Sequence, residues 1–285
     1  MEKSLQVNEG ETIVLFGPVG SGKTDLLESI FSERESDRLR ELFDYETLLN
    51  REKLKDQIGY FPKHFEGFRQ LTVRENLSIL ARMFSNRVET GELISKFNLQ
   101  SVETTKVKHL SKDEKRRVGI VAALVNDPKF IILDEPSLDL STKGREEIWK
   151  IIRMLANERK ILVITTRYPH EAEALANFLV IVHKGEIVRA GLRTDVMHGF
   201  LGHRTVILEE ISSPLPQDFL NQFPMARISG DRLELEASNL KEVGDLIAFL
   251  GREAIDGNLL VKKKSLSDLF NQLTGTEITP EGELL

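Results

Sequence analysis

Two stretches of this sequence carry residue types and spacings suited to phosphate chemistry. The first is GPVGSGKT, formed by Gly17, Pro18, Val19, Gly20, Ser21, Gly22, Lys23 and Thr24. It fits G-x-x-x-x-G-K-[ST] at every position. Its glycines let backbone N–H groups curl around phosphate oxygens with no Cβ in the way. A helix starting near Lys23 would turn its positive end to the same anion. Lys23 would then reach the β- and γ-phosphates of a nucleotide, and Thr24 would place its hydroxyl on Mg2+. The second stretch is FIILDEP, Phe130 to Pro136. Asp134, at the end of an apolar run, is placed to hold Mg2+ through water, and Glu135 to orient or deprotonate an attacking water. Alone, each stretch could be an ordinary turn or a solvated strand end. Together they point to a bound nucleoside triphosphate, with ATP and Mg2+ as the cofactors.

These residues need elements to hold them. ETIVLF is a short apolar run that reads as a buried strand leading into the loop. After the loop, Leu26, Leu27, Ile30 and Phe31 recur at helical spacing. The charged stretch Glu33 to Gln57 shows no clear pattern, and IGYF then reads as another strand. The middle of the chain reads as helical. Thr72 with Glu75 forms a capping box before the stripe Val73, Leu77, Leu80, Ala81 and Phe84. A short helix follows over ELISKFNL. Ser111 with Glu114 offers another box before Val118, Val121, Ala122 and Val125, and Asn126-Asp127-Pro128 stops that helix. KFIILDE is a strand of the kind buried on both faces of a parallel sheet. GREEIWKIIRMLANERK is an amphipathic helix with Ile148, Ile151, Ile152 and Leu155 inward, and Trp149, the only tryptophan, is read as packing beside that stripe. ILVITT is a strand, PHEAEALANF a helix, and LVIVHKGEIVRAG a hairpin turning at Lys184-Gly185.

Past His203 the pattern changes to β-α-β-β-α-β, with Gly230-Asp231 between the middle strands; that order is ferredoxin-like. A helix over SLSDLFNQLTG follows, and TEITPEGELL is expected to fray.

Composition sets outer bounds. The 285 residues carry 40% hydrophobic and 29% charged residues, as in an ordinary globular protein of one large domain, or one large and one small. There is no cysteine, so disulfides and thiolate metal sites are excluded. No apolar run is long enough to span a bilayer. The opening MEKSLQVNEGE is charged and lacks a signal-peptide core. A net charge of −6 argues against nucleic acid as a partner, and the basic run Val261–Lys264 reads as a solvated strand end.

In motif order, residues 5 to about 200 resemble an ATP-binding cassette (ABC) ATPase: the phosphate loop, IGYFP, LTVRENL, a signature-like LS, FIILDEP, ILVITT and HKGEIVRAG. Residues 204–273 resemble the C-terminal extension of the ABC-2 type drug exporters, the daunorubicin-resistance-like group, with SLSDLFNQLTG as the specific part. The resemblance implies an α/β P-loop NTPase of the ABC cassette kind with an inserted helical subdomain at about 64–112, occupying residues 1–203. A small α+β ferredoxin-like accessory domain would occupy 204–285. It also implies an ATP-binding subunit that drives or gates a separate integral membrane permease, and that pairs with a second ABC cassette, a heterodimer being favoured. It would be cytoplasmic, held peripherally on the inner face of the cell membrane through the permease. Soluble ABC proteins acting on ribosomes or DNA usually carry two cassettes or long coiled-coil arms, and this chain shows neither.

The resemblance also marks departures. The family signature L-S-G-G-Q is here Leu110, Ser111, Lys112, Asp113 and Glu114. Side chains replace glycines that allow close approach to a partner's nucleotide, and two carboxylates add charge that repels a polyanion. Ser111 with Glu114 still caps a helix. Lys63 stands where the family has a metal-sensing glutamine. An ammonium cannot ligate Mg2+, so Lys63 either contacts phosphate or is solvated. Arg167 stands where the family has a γ-phosphate histidine; it can neutralise phosphate but cannot shuttle a proton. His170 falls on the following helix, and Asp139 is the counterpart of the aspartate in the family's next loop. No aromatic residue precedes Phe16 to stack on adenine. With Glu135 retained, turnover at this chain's own loop would require an intact signature from a different cassette. The alternative is a pseudo-ATPase that binds nucleotide with little hydrolysis.

Overall fold

The computed structural model describes residues 8–29, 57–200, 203–211, 213–216 and 218–285. The expected continuation of the first helix through Ile30 and Phe31, and nearly all of the patternless stretch from Glu33, lie outside the described residues. By internal contacts the chain divides into two units. One runs to Arg193 and takes in Pro280–Leu284; the other is Thr194–Thr279 with Leu285.

The first unit is built on a six-stranded sheet. Its strands are β1 (Thr12–Phe16), β2 (Ile58–Phe61), β3 (Phe130–Asp134), β4 (Ile161–Thr166), β5 (Phe178–His183) and β6 (Glu186–Leu192), in the order β2-β3-β4-β1-β5-β6. All neighbours are parallel except β5 and β6, which form an antiparallel hairpin. Every residue of β1 and β3 is buried, which is why both read as unbroken apolar runs rather than alternating ones. The hairpin turns at Lys184-Gly185, both with positive φ (51° and 78°), the backbone a tight two-residue turn demands. The sheet core joins Ile13, Leu15, Leu27, Ile132, Val163, Val180 and Val182.

Three helices matter for the site. Val73–Ala81 starts at a complete capping box of Thr72 and Glu75, and ends before the sequence stripe does, leaving Phe84 in a turn. Lys112–Ala122 starts at a second complete box of Ser111 and Glu114 and buries Val118, Val121 and Ala122. Thr142–Asn157 buries Ile148, Ile151, Ile152 and Leu155, the stripe expected from the sequence.

The second unit holds β7 (Arg204–Glu209), β8 (Ala226–Ser229), β9 (Arg232–Ala237) and β10 (Asn258–Lys263), antiparallel in the order β10-β7-β9-β8. With the Leu240–Arg252 helix between β9 and β10, this is the ferredoxin-like arrangement. Its core is Val206, Leu208, Phe219, Leu233, Leu235, Leu246 and Phe249. The expected helix over PLPQDFLNQF is reduced to one turn, Phe219–Gln222; prolines at 214 and 216 deny it earlier turns. All six residues of β10 are exposed, as its lysine-rich end suggested. The last helix, Leu266–Thr274, is capped by Ser265 and closed by Gly275 in the left-handed conformation.

One expectation fails. The segment after that helix does not fray: Ile278 and Gly282 are buried, and Val19 donates its backbone N–H to the Gly282 carbonyl at 3.3 Å. The polar composition of TEITPEGELL hid a backbone-mediated dock.

Candidate functional site

The parallel sheet brings the two motifs together at one edge. β1 ends at Phe16 and β3 at Asp134, with β4 between them. Loops leaving the carboxyl ends of such strands form the usual ligand crevice of an open α/β sheet. Gly17 to Gly22 lead from β1 into the helix Lys23–Ser29. Gly17 is needed for room: a Cβ there would lie 2.2 Å from the Val182 carbonyl oxygen. Gly20 and Gly22 are needed for conformation, with φ of 75° and 91°. The hairpin turn holds the loop from outside, Gly185 donating its N–H to the Ser21 carbonyl at 2.8 Å.

Lys23 folds back into the loop. Its ammonium donates to the carbonyls of Gly17 (2.8 Å) and Pro18 (2.9 Å) and lies 3.7 Å from Glu135 Oε1. It is 4% exposed, and burial lowers its pKa to about 8 against the opposing pull of Glu135. An amine so desolvated is poised to trade carbonyl partners for phosphate oxygens. Thr24 Oγ1 donates to Asp134 Oδ2 at 3.3 Å. The Thr165 hydroxyl on β4 also donates to Asp134 and accepts the Glu135 N–H at 2.9 Å. A hydroxyl and a buried carboxylate facing each other beside the phosphate loop are hard oxygen donors that fit Mg2+, an ion that keeps waters and substrate phosphates as its other ligands.

Glu135 is buried and held at φ 45°, a left-handed backbone unusual for a side chain larger than asparagine. Cations surround its carboxylate: Lys63 Nζ at 3.5 Å, Lys23 Nζ at 3.7 Å and Arg167 Nε at 4.0 Å. Its Oε2 is buried and accepts no hydrogen bond. Lys63 is thus neither simply solvated nor bound only by water; its ammonium rests on Glu135. Arg167 also reaches Asp139 Oδ1 at 3.4 Å and lies over the Tyr168 ring. His170 lies on the helix Pro169–Leu175, near Arg145 Nη1 at 3.5 Å and beside the Tyr168 ring. Burial first, then Arg145, pushes its pKa below the ordinary imidazole value.

The signature-like residues turn inward as much as outward. Glu114 reaches back to the Ser111 N–H at 2.8 Å, closing the box. Asp113 accepts the Ser141 hydroxyl at 2.5 Å and packs on Gly144, where a Cβ would meet its carboxylate carbon at 2.5 Å. Ser111 and Lys112 are exposed, so of the two residues that replace the signature glycines, only Lys112 projects freely.

Two residues of this site were not singled out by the sequence. Arg116 donates to the carbonyls of Lys63 (2.5 Å) and Glu135 (3.0 Å) and stacks on Phe61, tying both loops to the Lys112–Ala122 helix. Glu171 is fully buried and accepts from the hydroxyls of Ser137 and Thr166 (2.5 Å) and from Trp149 Nε1 (2.7 Å). It fastens the loop after Glu135 to the end of β4. Trp149 therefore does more than pack. Neither residue belongs to a local motif: apart from Thr166, five positions from Glu171, their hydrogen-bond partners lie 19 to 53 positions away.

Comparison with known proteins agrees with this geometry. The model of the ABC transporter family matches residues 1–138. The chain is 30% identical to a Nod factor export ATP-binding protein I of Burkholderia pseudomallei (strain 1710b), over 96% of this chain and 91% of that protein. It is 28% identical to the protein of the same description from Rhizobium sp. (strain N33), with the same coverage. Among solved structures, an ATP-binding subunit of an ABC transporter superposes with a TM-score of 0.55 at 23% identity, covering 68% of this chain and 83% of that one. A dimeric ATP-binding cassette in a post-hydrolysis state, bound to ADP and phosphate, gives 0.51 at 23% identity, covering 66% and 88%. At that identity the structural likeness speaks for the fold.

Proposed function

Since the chain belongs to the ABC transporter family, among its ATP-binding subunits, we propose that it holds ATP with Mg2+ at Gly17–Thr24, in a site shared with a second cassette, to drive or gate a separate membrane permease. The observation that carries this reading is the convergence of Lys23, Thr24, Asp134 and Glu135 from two sequence-distant motifs, with Thr24 and Asp134 3.3 Å apart. In this reading the loop amides and Lys23 bind the phosphates. Thr24 and Asp134 hold the metal, which would draw charge from the phosphate oxygens. Glu135 positions the attacking water. Arg167 adds charge at the γ-phosphate end. Among the described residues no helix is long and apolar enough to cross a membrane. Export is the role named for the relatives, and the ferredoxin-like unit agrees with the drug-exporter group of this family.

A second reading, a nucleotide-binding subunit with little hydrolysis of its own, is favoured by one observation. Lys63 holds the carboxylate of Glu135 at 3.5 Å in place of a neutral glutamine. Exposed Lys112 in the signature points the same way, since a homodimer would present it to both nucleotides. The test is ATP turnover by the purified chain, alone and with a second cassette of intact signature. Turnover that appears only with the second cassette and is lost in Glu135→Gln supports the shared-site reading. Brisk turnover by the chain alone, lost in the same variant, rules out the second reading.

A further inference from the structure

The segment 280–284 lies on the phosphate loop and belongs to the same compact unit as that loop. Its central residue, Gly282, is buried and accepts the N–H of Val19 at 3.3 Å. Its other side meets the turn after β4. A Cβ on Gly282 would lie 2.1 Å from the Arg167 carbonyl oxygen, and φ there is 75°. Only glycine satisfies both conditions, so the seat is specific: backbone pressed on backbone, in a conformation other residues disfavour. The segment thereby bridges the third residue of the phosphate loop and the first residue after β4, the two positions that flank the γ-phosphate end of the site proposed above.

We propose that segment 280–284 is a built-in competitor at this site: it seats on Val19 and Arg167 in the resting chain and lifts when ATP and a facing cassette bind. The proposal rests on the reading that Gly17–Thr24 binds ATP. Three features support competition rather than support. A loop N–H of the kind that serves phosphate is given to a carbonyl oxygen. The segment carries exposed Glu281 beside a loop whose proposed ligand is a polyanion, and like charges at short range repel. Among the described residues the segment's hydrogen bond to the loop is the long one from Val19 to Gly282, which favours exchange over a permanent lock. Glu281 acts on His170, favouring its charged form weakly against burial and Arg145, so it lies near the helix that follows Arg167.

The test uses the full chain, the chain shortened after Thr279, and Gly282→Val, with equilibrium binding of MgATP and MgADP measured for each. Losing one hydrogen-bonded competitor should tighten MgATP binding about three- to tenfold. MgADP, which lacks the γ-phosphate, should gain less. In the unaltered chain, amide exchange of the peptide covering 276–285 should speed up when MgATP is added. Unchanged or weaker MgATP binding in folded Gly282→Val, or slower exchange of that peptide with MgATP, would overturn the proposal. Lys23→Ala in the full chain separates the two layers: if it leaves MgATP binding intact, the nucleotide site itself has been misassigned.

Discussion

Asp134 and Lys23 sit 111 positions apart in sequence and do different work. In the proposed site Lys23 would supply charge to phosphate, and Asp134, beside Thr24, would supply a metal ligand. Lys23→Ala is expected to reduce MgATP binding by at least tenfold, the scale of one buried charge-assisted contact. Asp134→Asn is expected to keep binding of ATP without metal while losing the gain that Mg2+ gives, which titrations with and without chelator would show. Glu171 offers a pH test. Burial raises its pKa above the ordinary carboxylate value, against the pull of Ser137, Thr166 and Trp149. The folded chain therefore keeps a proton there that the unfolded chain has released. Its stabilising contribution is fullest below the unfolded pKa and is lost as pH rises through the folded one. Glu171→Gln removes that titration. Its stability relative to the unaltered chain should rise from about pH 4 toward neutrality, measured as the difference in denaturant midpoints. A difference that shrinks over that range would mean the three donors outweigh burial.

At the scale of elements, the parts legible in sequence were those with local causes. Both capping boxes formed where serine or threonine precedes glutamate by three, and β1 and β3 were readable because burial on both faces leaves them uniformly apolar. The phosphate loop was legible because glycine is demanded by φ at Gly20 and Gly22 and by space at Gly17. What was hidden depends on distant partners: the grip of Arg116 on two loop carbonyls, the buried fastening by Glu171, and the docking of Gly282. Lys63 could not be assigned from its type alone, since its partner Glu135 is 72 positions away. Close packing between elements gives a sharp test at Gly59. A Cβ there would lie 2.1 Å from the Ala123 carbonyl oxygen, where β2 meets the turn after the Lys112–Ala122 helix. Gly59→Ala is expected to destabilise the chain by about 1–3 kcal/mol, as overpacking against backbone does. Ser111→Ala, losing only a cap, is expected to cost about 1 kcal/mol. Thermal or denaturant unfolding of the two variants would rank them.

At the scale of the whole molecule, each compact unit has its own sheet and its own buried core. The proposed nucleotide-binding residues all lie in the first. A ligand that binds only the native form stabilises what it binds. Saturating MgATP is therefore expected to raise the melting temperature of the first unit and leave that of the second nearly unchanged, if calorimetry resolves two transitions. The departures from the family pattern also belong to this scale: in the shared-site reading exposed Lys112 would face a second cassette, while Asp113 is held by Ser141 within this chain. In that reading the identity of the second cassette decides turnover, and the proposed nucleotide-binding residues are all present here. Calorimetric titration of the purified chain with MgATP tests that central claim most directly. The expected result is saturable binding of one nucleotide per chain that Lys23→Ala removes. Absence of binding, or binding that survives Lys23→Ala unchanged, would contradict it.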